Sequence, residues 1–195
     1  MTTSTPRFDP ACTALLVMDY QAGIIGMMPD GDALVARTAE AIAFARRAGI
    51  TVGYVRVAFT ESDVRAMPAR NTMAARISSM GEAMRADSPL TQIDARLAPH
   101  SCDIVVRKTR VGPFLTTDLH EQLQARGITT LILAGLSTSG VVLSTVRDAA
   151  DRDYALIVLS DACADPQPGV HDFLMERIFP RQADVMTLDA LAAAR

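Results

Sequence analysis

The stretch Gly127–Val146 reads GITTLILAGLSTSGVVLSTV and contains no charged residue. It is long enough to cross a bilayer, but seven of its positions are Ser or Thr and three are Gly, which suit lipid poorly. We interpret it instead as a buried strand at Thr129–Ala134, a Gly/Ser/Thr turn, and a helix at Gly140–Ala150. A strand that enters a helix through a short turn is typical of an open α/β sheet.

The same order of strand and helix recurs along the chain, because short apolar or β-branched runs alternate with longer Ala-rich or capped segments. The predicted strands are Ala14–Met18, Ile50–Val57, Ile104–Val106, Thr129–Ala134, Tyr154–Leu159 and Ala183–Met186. The further predicted helices are Asp32–Ala48, a segment from Thr116 or Thr117 through Arg126, and Val170–Ile178. The pattern predicts a three-layer αβα sandwich around a mostly parallel sheet of about six strands, in one domain spanning residues 1–195.

The segment Glu61–Pro99 fits this rhythm least well. It carries four methionines at Met67, Met73, Met80 and Met84. Methionine at helical spacing usually packs in a core, so we predict two short packing helices. A substrate-covering insertion and a dimer surface stay open as alternatives.

Composition narrows the class of protein further. The chain has 195 residues, a formal charge of −3, 49% hydrophobic residues and no basic block, which excludes disorder and disfavours a nucleic-acid partner. The segment Met1–Pro10 has no apolar core of a signal peptide. The three cysteines lie far apart without a CxxC spacing, so we expect no disulfide framework, no zinc site and a reducing cytoplasm.

Polar residues follow three of the predicted strands. Ligands bind outside the carboxyl ends of strands in open α/β sheets, and there we find Asp19 with Gln21, then Lys108, then the turn Gly135–Gly140. Asp19 and Gln21 point to one side if the chain stays extended. Lys108 would favour the ionised form of Asp19, whereas burial would favour its protonated form. The turn Gly135–Gly140 offers backbone N–H groups that suit a carboxylate or an oxyanion. Together these features predict a site for a small molecule.

These residues resemble the isochorismatase-like hydrolases over most of the chain, from about Ala14 to Thr187. The motifs that carry the resemblance are Asp19-x-Gln21, Asp103-Ile-Val-Val-Arg-Lys108, Thr117-Asp118-Leu119, Gly135-Leu-Ser-Thr138, Asp148-Ala149 and Asp161-Ala162. Most members of this family are cysteine hydrolases of amides, whose Asp and Lys activate a cysteine after the fourth strand. The resemblance implies a cis peptide at Leu136-Ser137 and places Val141 at the cysteine.

A valine has no nucleophile, so the covalent route fails at this position. Ser137, Ser139 and Cys163 remain possible substitutes. The metal ligands that nicotinamidases carry after the second strand are missing from Val55–Phe59, so we expect no metal and no cofactor.

One branch of the family lacks the cysteine and hydrolyses a vinyl ether. The resemblance implies that Asp19 acts as general acid there, with Lys108 beside it, on an anionic metabolite of isochorismate type. The predicted substrate-binding residues are Gln21, Arg110, Ser137, Thr138, Ser139, Gly140 and Val141. A non-catalytic metabolite-binding relative and an amidase with a substitute nucleophile stay open. Family members are commonly oligomers, so we expect a homodimer or homotetramer.

Overall fold

The computed structural model describes residues 8–194. Its six described strands are β1 (Thr13–Met18), β2 (Thr51–Val57), β3 (Ile104–Lys108), β4 (Thr130–Leu136), β5 (Ala155–Ala164) and β6 (Asp184–Met186). They form one sheet in the order β3-β2-β1-β4-β5-β6, and every pair is parallel. The predicted fold class is confirmed, with a sheet that is parallel throughout.

The connections are helical. The described α-helices are α1 (Ala22–Ile25), α2 (Gly31–Ala48), α3 (Glu61–Ala66), α4 (Thr72–Met80), α5 (Leu119–Ala125), α6 (Leu143–Ala150), α7 (Val170–Phe173) and α8 (Leu188–Ala193). The helix α2 ends at Gly49, whose φ of 75° is the left-handed conformation that glycine adopts without strain. No helix within residues 8–194 has both the length and the apolar character needed to cross a membrane.

Two apolar clusters, one on each face of the sheet, form the core. Side chains alternate across β1, so Leu16 faces the layer that contains Leu123 of α5, while Leu15 faces the layer that contains Ile42 of α2. All six residues of β1 are buried, as a strand covered on both faces requires.

The structure differs from the sequence-based expectations in several elements. The helix predicted at Val170–Ile178 is α7 followed by a π-turn at Leu174–Ile178, and α1 and α8 were not predicted. β5 extends five residues past Leu159, because the end of β4 continues to pair with it through Gly135 and Cys163 after a register shift. The helix after β4 begins with a π-turn at Thr138–Val142 before α6. In the segment 61–99, α3 and α4 are the predicted short helices, and three 3₁₀ turns follow them.

The strand order places a crevice at the centre of the sheet. The chain runs outward from β1 through β2 to β3 on one side, and from β4 through β5 to β6 on the other. The carboxyl ends of β1 and β4 therefore flank the point where strand order reverses, which is where open α/β sheets bind ligands. Asp19 follows β1 and the Leu136–Ser137 pair lies at the end of β4.

Candidate active site

Asp19 is a buried carboxylic acid at the end of β1. Its φ of 59° is left-handed, a conformation that Asp tolerates better than most residues, and it turns the chain out of the strand direction. Its backbone N–H still donates to the carbonyl of Val55 at 2.8 Å, which extends the β1–β2 ladder by one bond. Its side chain is therefore fixed relative to the sheet.

The two carboxyl oxygens of Asp19 have different surroundings. Oδ2 lies 2.7 Å from Nζ of Lys108, whereas Oδ1 is buried and has no hydrogen-bond partner within residues 8–194. Desolvation raises the pKa of Asp19 above its ordinary value, although the charge of Lys108 and its hydrogen bond act in the opposite direction. Burial thus favours a protonated carboxyl, and Oδ1 is the oxygen free to carry the proton.

Lys108 is the last residue of β3 and is only 2% exposed. Its ammonium lies between Oδ2 of Asp19 and the carbonyl oxygen of Val111, each at 2.7 Å. Both contacts keep Nζ in place, as a buried ammonium requires. The structure therefore brings the two predicted catalytic residues into direct contact.

The turn after β4 forms another wall of the site. The Leu136–Ser137 peptide is cis, at the position that the family resemblance implied. The next two residues contact α7 and its preceding loop: Thr138 Oγ1 lies 2.9 Å from Nδ1 of His171, and the Ser139 N–H donates to Oδ2 of Asp165 at 2.7 Å. The expectation that this turn offers free N–H groups is thus wrong for Ser139, because a carboxylate 26 residues downstream already accepts its hydrogen bond.

Gln21 uses its side-chain amide to continue the sheet. Its Oε1 accepts from the N–H of Val57 at 2.8 Å, and its Nε2 donates to the carbonyls of Val57 at 2.8 Å and of Thr91 at 2.7 Å. It occupies the place of the next β1 peptide, which the turn at Asp19 has removed. Asp19 and Gln21 therefore do not face one side as an extended chain predicts.

A cavity of about 290 Å³ opens above Asp19. Its lining includes six of the residues predicted for the site, namely Asp19, Lys108, Arg110, Ser137, Gly140 and Val141. The other three predicted residues, Gln21, Thr138 and Ser139, are not part of that lining. Val141, which stands at the family's cysteine, is 2% exposed and closes part of the cavity wall.

Sequence reasoning missed the opposite wall of the cavity. Five methionines line it, at Met27, Met28, Met73, Met80 and Met84, together with Arg76 on α4. The methionine spacing in Glu61–Pro99 predicts packing helices and leaves a substrate-covering insertion as an alternative; the structure places Met73, Met80 and Met84 in the cavity lining. A second cavity of about 450 Å³ shares Phe59, Ile77 and Met84 with this wall and contains neither Asp19 nor Lys108.

The cysteines lie away from the Asp19 cavity. Cys163 is buried inside β5 with its thiol 3.9 Å from the carbonyl oxygen of Leu133, and desolvation raises its pKa to about 12. Cys12 precedes β1 and Cys102 precedes β3, at the opposite end of the sheet. Among the described residues that line the cavity, none is a cysteine. Within residues 8–194 no three His, Cys, Asp or Glu side chains come together as a metal site.

A parallel αβα sandwich with a buried acid at its switch point, paired with a lysine, suits a hydrolase of small molecules, and similarity to known proteins identifies its family. Residues 13–190 match the Isochorismatase domain, and the chain belongs to this family of hydrolases. It is 31% identical to the uncharacterised isochorismatase family protein YecD of Escherichia coli O157:H7, over 93% of this chain and 95% of that protein.

Two further relatives extend the comparison. The chain is 33% identical to the ureidoacrylate amidohydrolase RutB of Methylobacterium radiotolerans, over 82% of this chain and 70% of that enzyme. Its fold is similar to the solved structure of an isochorismatase family protein from Burkholderia thailandensis, with a TM-score of 0.83, 30% identity and coverage of 94% and 95%. Family membership and fold are therefore established over nearly the whole chain.

Proposed function

We propose that this protein hydrolyses an anionic small molecule without a covalent intermediate, and that Asp19 is the general acid for cleavage of a vinyl ether of isochorismate type. The observation that supports this most directly is the buried Oδ1 of Asp19, which has no partner in the described structure and belongs to a residue on the cavity wall. A proton on Oδ1 satisfies this atom and provides the acid.

The reaction follows from the surroundings of this carboxyl group. Asp19 gives its proton to the terminal carbon of the enol ether, so that a C–H bond forms and the adjacent carbon becomes an oxocarbenium ion. Water adds to that carbon and loses a proton, and the resulting hemiketal breaks its C–O bond to release pyruvate and an alcohol. Lys108, 2.7 Å from Oδ2, stabilises the carboxylate left behind until water returns the proton.

The anionic character of the substrate follows from the charges around the cavity. Lys108 is paired with Asp19, but the Arg110 guanidinium makes one hydrogen bond, from Nη1 to the carbonyl of Thr109 at 2.6 Å. A carboxylate of the substrate can take the remaining donors of Arg110. Ser137, Gly140 and Val141 bound the space beside the reacting bond.

An amidase with a substitute nucleophile is the second candidate, because the relative RutB is named an amidohydrolase. Ser137 is the hydroxyl residue of this turn that lines the cavity, whereas Ser139 does not line it and Cys163 is buried in β5. A serine needs a general base, and no histidine is among the described residues that line the cavity. The acid route therefore fits the described lining better.

The test measures pyruvate release from isochorismate by wild type, Asp19→Asn and Lys108→Met. Asparagine tolerates the left-handed backbone at residue 19 and removes only the acid. Under the proposal, Asp19→Asn lowers kcat at least 100-fold with intact folding. Release of ammonia from ureidoacrylate or N-carbamoylsarcosine instead, with no pyruvate, supports the amidase, and turnover of neither substrate class supports a metabolite-binding relative.

As part of the same proposal, the protein acts in the cytoplasm as a homodimer or homotetramer. The free thiols of Cys12, Cys102 and Cys163 fit a reducing compartment. Large apolar side chains at Leu115 and Phe173 are 78% and 57% exposed, and burial of such side chains favours self-association. Light scattering after size exclusion measures the oligomeric state, and a monomer at micromolar concentration contradicts this part.

A further inference from the structure

The helix α4 contributes both apolar side chains and a cation to the cavity lining. Met73, Ile77 and Met80 follow one face of α4, and all three belong to the cavity lining. Arg76 is the cation on that face, and it too belongs to the lining. The wall therefore combines an apolar surface with a single guanidinium.

The side chain of Arg76 is unpaired in the described part of the chain. Its backbone carbonyl accepts a bond from Ser79, but its side chain has no ion pair or hydrogen bond within residues 8–194. Asp19 supplies the sole carboxylate among the described lining residues, and it is already paired with Lys108. The cavity thus holds two cations without a carboxylate partner, Arg76 and Arg110.

The remainder of the wall is apolar and adaptable. The methionines Met27, Met28, Met73, Met80 and Met84 contribute flexible thioether side chains, which fit apolar groups of varied shape. Met27 and Met80 are 56% and 39% exposed, so this part of the wall reaches the mouth of the cavity, whereas Asp19 is 4% exposed at its floor.

We infer that Arg76 is a specificity-determining residue that binds a substrate carboxylate remote from the reacting bond. The five cavity methionines then hold the apolar part of the substrate that lies between this carboxylate and the reacting bond. This inference rests on the proposed site and narrows its substrate class to amphipathic carboxylates. A single guanidinium donates two of its N–H groups to a planar carboxylate. This pairing favours a carboxylate over a neutral alcohol or amide of the same shape.

The test is a binding measurement, so that it does not depend on hydrolysis. The probes are hexanoate, hexan-1-ol and butyrate, titrated into protein labelled with ¹³C in the methionine methyl groups. Saturable shifts are expected at the cavity methionines but not at Met175 or Met186, which are absent from the cavity lining. Hexanoate should bind about tenfold more tightly than hexan-1-ol, and about tenfold more tightly than butyrate, which is two methylenes shorter.

Arg76→Gln should bind hexanoate about tenfold more weakly and should leave hexan-1-ol unchanged. The matched control is Arg70→Gln, because Arg70 is also exposed but does not line the cavity, and it should leave both affinities unchanged. Equal hexanoate affinity in wild type and Arg76→Gln, or shifts at Met175 and Met186 instead, would overturn the inference. Tighter binding of hexylphosphonate than of hexanoate would overturn the choice of a carboxylate. If pyruvate release fails while these affinities behave as stated, the acid mechanism alone is wrong.

Discussion

A substitution at Gln21 distinguishes a structural role from a substrate-binding role, because the first affects stability and the second affects hydrolysis. We consider Gln21→Met, which preserves length and apolar volume but removes the amide. The N–H and C=O of Val57 then lose their partner, since both are directed to Gln21 at 2.8 Å. The carbonyl of Thr91 also loses a bond, but Arg56 still donates to it at 3.1 Å.

The expected cost follows from the two backbone groups of Val57. An unpaired buried N–H or C=O costs about 1–3 kcal/mol, and Val57 is partly buried, so the free energy of unfolding should fall by about 2–4 kcal/mol. This loss is a large part of the free energy of unfolding of a typical domain, which is about 5–15 kcal/mol. Urea denaturation followed by far-UV circular dichroism measures it, with the slope checked for two-state behaviour.

Gln92→Met is the matched control. Its Nε2 donates to the carbonyls of Ala86 and Ser88, each at 3.0 Å, but the side chain is exposed, so water replaces the bonds and the loss should stay below about 0.5 kcal/mol. An equal, small loss in both variants would refute the structural role. If Gln21 instead orients the substrate, Gln21→Met should weaken hydrolysis while unfolding stays unchanged.

Three further outcomes test the acid–lysine pair and the missing thiol. Lys108→Met should lose stability that grows as pH rises, towards about 3–5 kcal/mol where Asp19 would be ionised, measured in urea between pH 5 and pH 8, because the ionised carboxylate is buried without its partner; Asp19→Asn/Lys108→Met should lose clearly less and show no such pH dependence. Hydrolysis by wild type should fall as pH rises through the raised pKa of Asp19, since the protonated form is active; a rate that instead rises with pH contradicts an acid role. Val141→Cys should react with iodoacetamide at pH 8 in the native protein, whereas native Cys163 should not, because burial raises its pKa to about 12; mass spectrometry identifies the modified thiol.

The sheet was predictable because each strand is a local apolar run and the connections between parallel strands follow general rules. Ala14–Met18 predicted β1 from five consecutive apolar residues, and strand ends at Asp19 and Lys108 then followed without any structure. The contact between these two residues follows from the order β3-β2-β1, which places their strands two positions apart with carboxyl ends at one edge.

Other parts of the site depend on interactions between distant segments. The left-handed turn at Asp19 separates it from Gln21, and nothing in Asp-x-Gln distinguishes that turn from a continuing strand. Asp165, just past the carboxyl end of β5, accepts the hydrogen bond of the Ser139 N–H. Arg76 lines the cavity while Ile77, the next residue of α4, packs in a small apolar cluster with Phe59 and Met67. Local patterns carry no information on these pairings, so they required the structure.

The burial of Asp19 supports acid chemistry more strongly than the replacement of a cysteine does. A valine at position 141 is equally compatible with a protein that has lost its activity. A buried carboxyl with one oxygen unpaired, however, lowers stability whenever it is ionised, because desolvation favours the neutral form. Lys108 offsets part of that cost through Oδ2 alone, and Oδ1 has no hydrogen-bond partner within residues 8–194. A fold that only binds a metabolite does not need a buried, half-paired carboxyl at its cavity, whereas a general acid needs a carboxyl whose protonated form is favoured, as burial favours it here.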